Sequence, residues 1–154
     1  MQPFDGLVQT IGIVDDDYFS FVSAGADVNH SIFAWVRLRD ASSSGIFGKY
    51  GSVANSREYT FVFESSDKLT LYFRDDGDTL DASRQSDAAL TADEGSLHMY
   101  GWSYDSALGS GATVMNGVAL QRDGEVLAST ATNNAGYSNM VNTTNPVRVG
   151  AYQT

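Results

Sequence analysis

Apolar and polar residues alternate with a period of two through most of this chain, and stretches with helical period are nearly absent. That alternation places successive side chains on opposite faces of an extended strand. It predicts strands over residues 6–14, 18–22, 31–38, 45–50, 58–64, 69–74, 97–104, 113–122, 125–129 and 146–152. Turn-rich pieces separate them: "DASSSG", "ESSDK", "RDDGD", "DSALGSG" and "TNNAGYSN". The strongest hairpin signal is Asp123-Gly124, between "GVALQR" and "EVLAST", because a type I′ turn needs positive φ at both central residues. Residues 87–95 admit at most one helical turn. No internal repeat and no domain boundary interrupts residues 1–154, so one domain is expected.

Many short strands at this spacing predict an all-β protein, an antiparallel two-sheet β-sandwich. Several strands are apolar on both faces. In "SIFAWVRL", Ile32, Ala34, Val36 and Leu38 alternate with Phe33 and Trp35; in "EYTFVFES", Tyr59, Phe61 and Phe63 stand opposite Val62. Strands covered on both sides fit inner positions of a sandwich.

Composition narrows the picture. Hydrophobic residues make up 42% of the 154 and aromatics 12%, which suits a packed core. Nineteen acidic residues face nine basic ones, a net charge of −10. Such a surface argues against nucleic acid, whose phosphates demand positive charge, and against anionic membranes. Without cysteines there is neither a disulfide framework nor thiol chemistry. No apolar run is long enough to span a bilayer. The opening "MQPFDGLVQT" lacks a basic region followed by an apolar one, so no signal peptide is expected there.

The stretch "SIFAWVRLRDASSSGIFGKYGSVANSREYTFVFESSDKLTLYFRDDG" resembles the front half of a laminin-G-like domain of the concanavalin A-like jelly-roll superfamily. "DDYFSFVS" resembles that family's opening strand, and "LHMYGWSYD" its "WHHVAVTYD" strand, with His98 and Asp105 on matching positions. "GVALQRDGEVLAST" resembles its "LYVDGVLVAS" hairpin and "NPVRVGA" its "PLRIGA" strand. The likeness covers nearly the whole chain in the right order. It departs at Leu97, where the family has Trp, and at the Gly- and Ser-bearing insertion over residues 106–116. The family also continues into one further strand that closes the sheet beside the first. The segment "DGLVQTIGIV" or a partner is the expected occupant of that place, unless the chain is cut short. The resemblance implies a jelly roll and a noncatalytic binding module.

Candidate chemistry is sparse. Glucanases of this superfamily carry paired carboxylates as Glu-x-Asp-x-Glu on one strand, across a cleft. Here Glu58, Glu64, Glu94 and Glu125 are scattered, and Glu58 and Glu64 are expected as solvated sheet residues. No Gly-x-Ser-x-Gly elbow is present, and His30 and His98 lack metal-ligand spacing. His98 is expected to be a hydrogen-bonded structural residue and His30 a surface one. Calcium is the candidate cation, because hard ions want clustered oxygen ligands: "RDDGD" offers Asp75, Asp76 and Asp78, and "VDDDY" offers Asp15, Asp16 and Asp17. A sugar site would need aromatic platforms beside polar side chains. Tyr100 and Trp102 on "HMYGWSYD" are the candidate platforms, although aromatics on inner strands are usually core. Gly101 between them marks a bend or a close backbone approach. Tyr137 and Asn139 in the polar loop 132–145 are the candidate loop contacts. Arg37 and Arg39 are expected to line the sheet rim and pair with acidic loops.

The expected function is therefore noncatalytic: a glycan-binding module, with or without calcium, acting outside cells. The alternative is a virion protein, a phage capsid decoration or tail-fibre-associated domain. Such a protein would sit on the virion surface and work through protein partners, as a homo-oligomer or attached to a larger assembly.

Overall fold

A computed structural model describes residues 11–51, 57–75 and 81–150. In chain order the strands are β1 (Ile11–Ile13), β2 (Val22–Ser23), β3 (Ala26–Asp27), β4 (His30–Arg37), β5 (Ser44–Tyr50), β6 (Arg57–Phe63) and β7 (Leu69–Phe73). There follow β8 (Ala82–Ser86), β9 (Leu97–Tyr104), β10 (Val118–Arg122), β11 (Glu125–Val126), β12 (Ser129–Thr132) and β13 (Val147–Val149). Two antiparallel sheets pack together. The larger has the order β1-β13-β5-β6-β7-β8-β12 and the smaller β11-β10-β9-β4; β2 and β3 form a separate small hairpin. The protein is an all-β sandwich.

Aromatic side chains from facing strands fill the space between the sheets. Trp102 of β9 stacks on Phe47 of β5, with ring centroids 5.0 Å apart, and meets Phe61 of β6 edge-on at 5.0 Å. Phe63 meets Tyr100 and Phe73 meets Tyr104 in the same edge-to-face manner. Each such pair adds about 0.5–1.5 kcal/mol beyond the area it buries. Leu69, Leu71, Val118 and Leu120 complete this layer.

The hairpin predicted at Asp123-Gly124 forms between β10 and β11, with φ of 53° and 87° at the two residues. Strand 97–104 falls on β9, and the strands expected over 31–38, 45–50, 58–64 and 69–74 each lie within one residue of β4 to β7. Other expectations need correction. Residues 18–22 open with a 3₁₀ turn, Asp17–Phe19, because the Asp16 carboxylate accepts from the Tyr18 N–H and caps it. Residues 111–117 are likewise 3₁₀ before β10 begins. Within 87–95 there is one helical turn, as expected, in 3₁₀ form over Thr91–Asp93. Of the strand predicted over 6–14, residues 6–10 lie outside the described ones, as do 151 and 152 at the far end. β1 pairs with β13 at the edge of the larger sheet. Among the described residues it does not lie beside β4, which ends the smaller sheet.

Candidate functional site

β4 alternates cleanly. Ile32, Ala34 and Val36 pack against the core, whereas Ser31, Phe33, Trp35 and Arg37 point away from it. Register then builds the outer face of the smaller sheet in rows, since directly opposed residues share a face. Phe33 lies opposite Gly101, which lies opposite Gln121, which lies opposite Val126. Trp35 lies opposite Met99, Arg37 opposite Leu97, and Ser31 opposite Ser103. Trp35 is 67% exposed and Phe33 42%.

Gly101 determines how Phe33 lies. A Cβ on residue 101 would come within 2.3 Å of Phe33 Cδ1 and 2.8 Å of Cγ, so the ring rests directly on the glycine backbone. One ring face is thereby held against the sheet while much of the ring remains open to solvent. Beside it, Gln121 Nε2 donates to Ser103 Oγ at 3.1 Å, which fixes an amide and a hydroxyl on the same face. At the hairpin end, Asp123 accepts from the Met99 N–H and bonds the His98 ring at 2.6 Å. The Met99 bond first, and His98 after it, hold the Asp123 carboxyl below the usual carboxylate range. His98 is the hydrogen-bonded residue its position suggested.

The aromatics chosen from the sequence sit elsewhere. Tyr100 and Trp102 are wholly buried on the inner face of β9, and Tyr137 is buried too. The Tyr100 hydroxyl donates to Asp93 at 2.7 Å, and Trp102 Nε1 donates to His30 at 3.0 Å. Tyr137 donates to the Asp27 carboxylate, whose other oxygen takes the Met140 N–H, so this pair pins the 132–145 loop instead of leaving an exposed anchor. Asn139 is half-buried and donates to the Met140 carbonyl. Burial raises the hydroxyl pKa of Tyr100 and Tyr137 well above the ordinary value. No sugar ring can stack on these three without unpacking the interior.

His30 is likewise internal: it stacks on Phe21 with centroids 4.0 Å apart, and burial lowers its pKa to about 4. Of the proposed calcium ligands, Asp75 is buried, and Asp76 and Asp78 lie outside the described residues. The other acidic run is already engaged: Asp15 meets Lys49, Asp16 caps the 3₁₀ turn, and Asp17 accepts from Asn142. Among the described residues no cluster of three or more acidic or histidine side chains could hold a metal ion. Arg37 and Arg39 are exposed, and neither forms an ion pair among the described residues, contrary to the expected pairing with acidic loops. Glu58 also departs from expectation: it is fully buried and contacts the equally buried Lys49.

The sequence held a hint of the outer face without deciding it. Arg37 shares its parity with Phe33 and Trp35, and arginine is seldom fully buried. No protein-family model matches the chain, and no curated protein matches it.

Proposed function

We propose that this protein is a noncatalytic glycan-binding module, and that its binding surface is the outer face of the smaller sheet. The observation that carries the reading is the Phe33 ring laid on Gly101 with Trp35 exposed two residues along the same strand. Alternate residues of a strand stand about 6.6 Å apart, a spacing over which neighbouring rings of an extended saccharide can stack. Gln121 and Ser103 offer hydroxyl partners, and Arg37 offers a donor fork at the rim. The laminin-G-like, jelly-roll assignment belongs to the same proposal, supported by the ordered motifs together with two packed antiparallel sheets. Calcium assistance, with Asp75, Asp76 and Asp78 as ligands, is the finer part of it.

The test is a glycan array followed by titration calorimetry on the best ligand, with and without EDTA. Binding that falls at least tenfold in Trp35→Ala and Phe33→Ala, with unfolding temperature unchanged, supports the reading. A wild-type chain that retains no polysaccharide overturns it, and a response to EDTA decides the role of calcium.

A second reading is favoured by β4 itself. This eight-residue strand has a neighbour on one side only among the described residues. An edge of that length is a pairing template, which suits an assembly protein such as a capsid decoration or fibre-associated domain acting at a virion surface. Light scattering that shows a defined oligomer, lost when Ala34 is replaced by Pro, would support this reading over the first.

A further inference from the structure

Three charged side chains meet where β5 and β6 approach the segment after β1. Lys49, next to last in β5, and Glu58, second in β6, are both wholly buried, and Asp15 is largely so. Lys49 Nζ lies 2.7 Å from Asp15 Oδ1 and 2.8 Å from Glu58 Oε1. The two carboxylates are held differently. Glu58 Oε1 also accepts from the Thr143 N–H at 2.6 Å and from its hydroxyl at 2.9 Å. Among the described residues Asp15 Oδ1 has no hydrogen-bond partner despite its closeness to the ammonium, so nitrogen and carboxyl meet off the geometry of a well-formed hydrogen bond. Ser20 Oγ also touches Nζ, and it donates to Asn142 Oδ1 at 2.9 Å.

We propose that Lys49 and Asp15 condense into an amide, a covalent cross-link between the segment after β1 and strand β5, with Glu58 as the proton carrier. Glu58 takes a proton from the Lys49 ammonium, and the freed amine attacks Asp15 Cγ. The new N–C bond forms, the Cγ–O bond breaks, and the oxygen departs as water, carrying the proton that Glu58 returns and a second proton shed by the attacking nitrogen. The sum is –NH₃⁺ plus –COO⁻ giving –NH–CO– plus H₂O, which balances without an oxidant, a reductant or a cofactor.

Three physical effects favour the step. The reacting groups are held in contact, which replaces a bimolecular encounter with a positioned one. Burial excludes bulk water and so opposes the reverse hydrolysis. The product replaces two charges, expensive to keep out of water, with a neutral amide. Glu58 suits its role because burial raises its pKa against the opposing pull of its hydrogen bonds from Lys49 and Thr143. This inference is independent of the glycan-binding surface, which lies on the other sheet.

The experiment is intact-mass spectrometry of the purified, folded full chain under denaturing conditions, followed by fragmentation mapping. The expected result is a mass lower by one water, with Asp15 and Lys49 in one branched peptide. Asp15→Ala and Lys49→Arg then return to the full sequence mass. Glu58→Gln, which keeps the shape of the side chain, slows or abolishes the loss. Asp15→Ala keeps the test sound, because this partly exposed residue can change while the Lys49–Glu58 contact remains. A cooperatively folded wild-type chain that stays at full mass on prolonged incubation overturns the proposal. So does a water loss that maps to an Asp-Gly pair such as Asp123-Gly124, where an imide could form instead.

Discussion

The Phe33 ring lies across Gly101, and no other residue type fits beneath it: a Cβ there would stand 2.3 Å from both Phe33 Cδ1 and the Ile32 carbonyl oxygen. The carbonyl belongs to the adjacent strand and cannot swing away as a side-chain tip could. Gly101→Ala is therefore expected to destabilise by about 1–3 kcal/mol, the usual range for overpacking. For a domain of this size each kcal/mol lowers the unfolding midpoint by about 2–4 °C. The same substitution is expected to tilt Phe33 off the sheet and to weaken the proposed glycan binding. Differential scanning calorimetry of Gly101→Ala checks the first effect; an unchanged midpoint would show that the strands separate easily here.

The two tryptophans separate binding from stability. Trp35 is mostly exposed, so Trp35→Ala is expected to move stability by no more than about 0.5 kcal/mol. Trp102 stacks on Phe47, meets Phe61 and Tyr59 edge-on and bonds His30. Trp102→Ala is expected to cost about 3–5 kcal/mol. Urea titrations of both variants test this contrast. A Trp35 variant as unstable as the Trp102 variant would mean that the outer face is covered in solution, which would favour the assembly reading.

These tryptophans also show how far the sequence could be read. Period two revealed β4 and β9 and the aromatic content of each, but it does not say which parity is buried, and a choice of face is all or nothing for a strand. On β9 the parity of Tyr100 and Trp102 proved internal. On β4, Ile32, Ala34 and Val36 are the inward set, leaving the larger Phe33 and Trp35 outside. Gly101 was recognisable as a point of close approach, but its visitor, a ring from the neighbouring strand, is a tertiary fact. Strands β8 and β12, "ASRQS" and "STAT", are not legible in the sequence because they carry almost no apolar alternation. Their pairing is stitched by polar contacts such as Arg84 Nε to Ser129 Oγ at 2.8 Å. The burial of Lys49 and Glu58 was illegible for a related reason: only the meeting of three separate segments supplies their partners.

His30 is expected to make the protein sensitive to acid. Its Nδ1 faces the Val28 carbonyl and its Nε2 accepts from Trp102, an arrangement that fits only the neutral ring. Desolvation lowers the folded pKa to about 4 from 6.5. Between those values the unfolded chain binds more protons than the folded one, so stability is full above about pH 6.5 and falls as the pH drops toward 4. At about 1.4 kcal/mol per pKa unit the loss approaches about 3 kcal/mol. Buried Glu58 and Asp27 are shifted upward and act in the opposite sense. The His30 contribution is therefore read by difference. His30→Gln retains an acceptor for Trp102 but cannot titrate, so its stability advantage over wild type grows on acidification. Parallel stability curves from pH 7 to pH 4 would assign the acid response to other groups.

Tyr137 and Asp27 tie the long 132–145 loop to the β2–β3 hairpin, 110 residues away in sequence. The Asp27 carboxylate is buried and accepts on both oxygens, from the Tyr137 hydroxyl and from the Met140 N–H at 2.7 Å. Tyr137→Phe keeps the ring and removes one donor, which leaves a buried carboxylate oxygen without its partner. Such an orphaned acceptor costs about 1–3 kcal/mol, and the loss is expected to appear first as faster amide exchange in the loop. Burial already raises the Asp27 pKa, and the two hydrogen bonds oppose that rise. Removing one of them pushes the carboxyl higher, so the variant loses less stability than wild type as the pH falls. The proposed glycan binding is expected to be unchanged, because the Tyr137 ring is internal and does not reach the outer face of the smaller sheet. If Tyr137→Phe instead abolished binding while the unfolding midpoint held, the loop, and not the Phe33–Trp35 face, would be where the ligand sits.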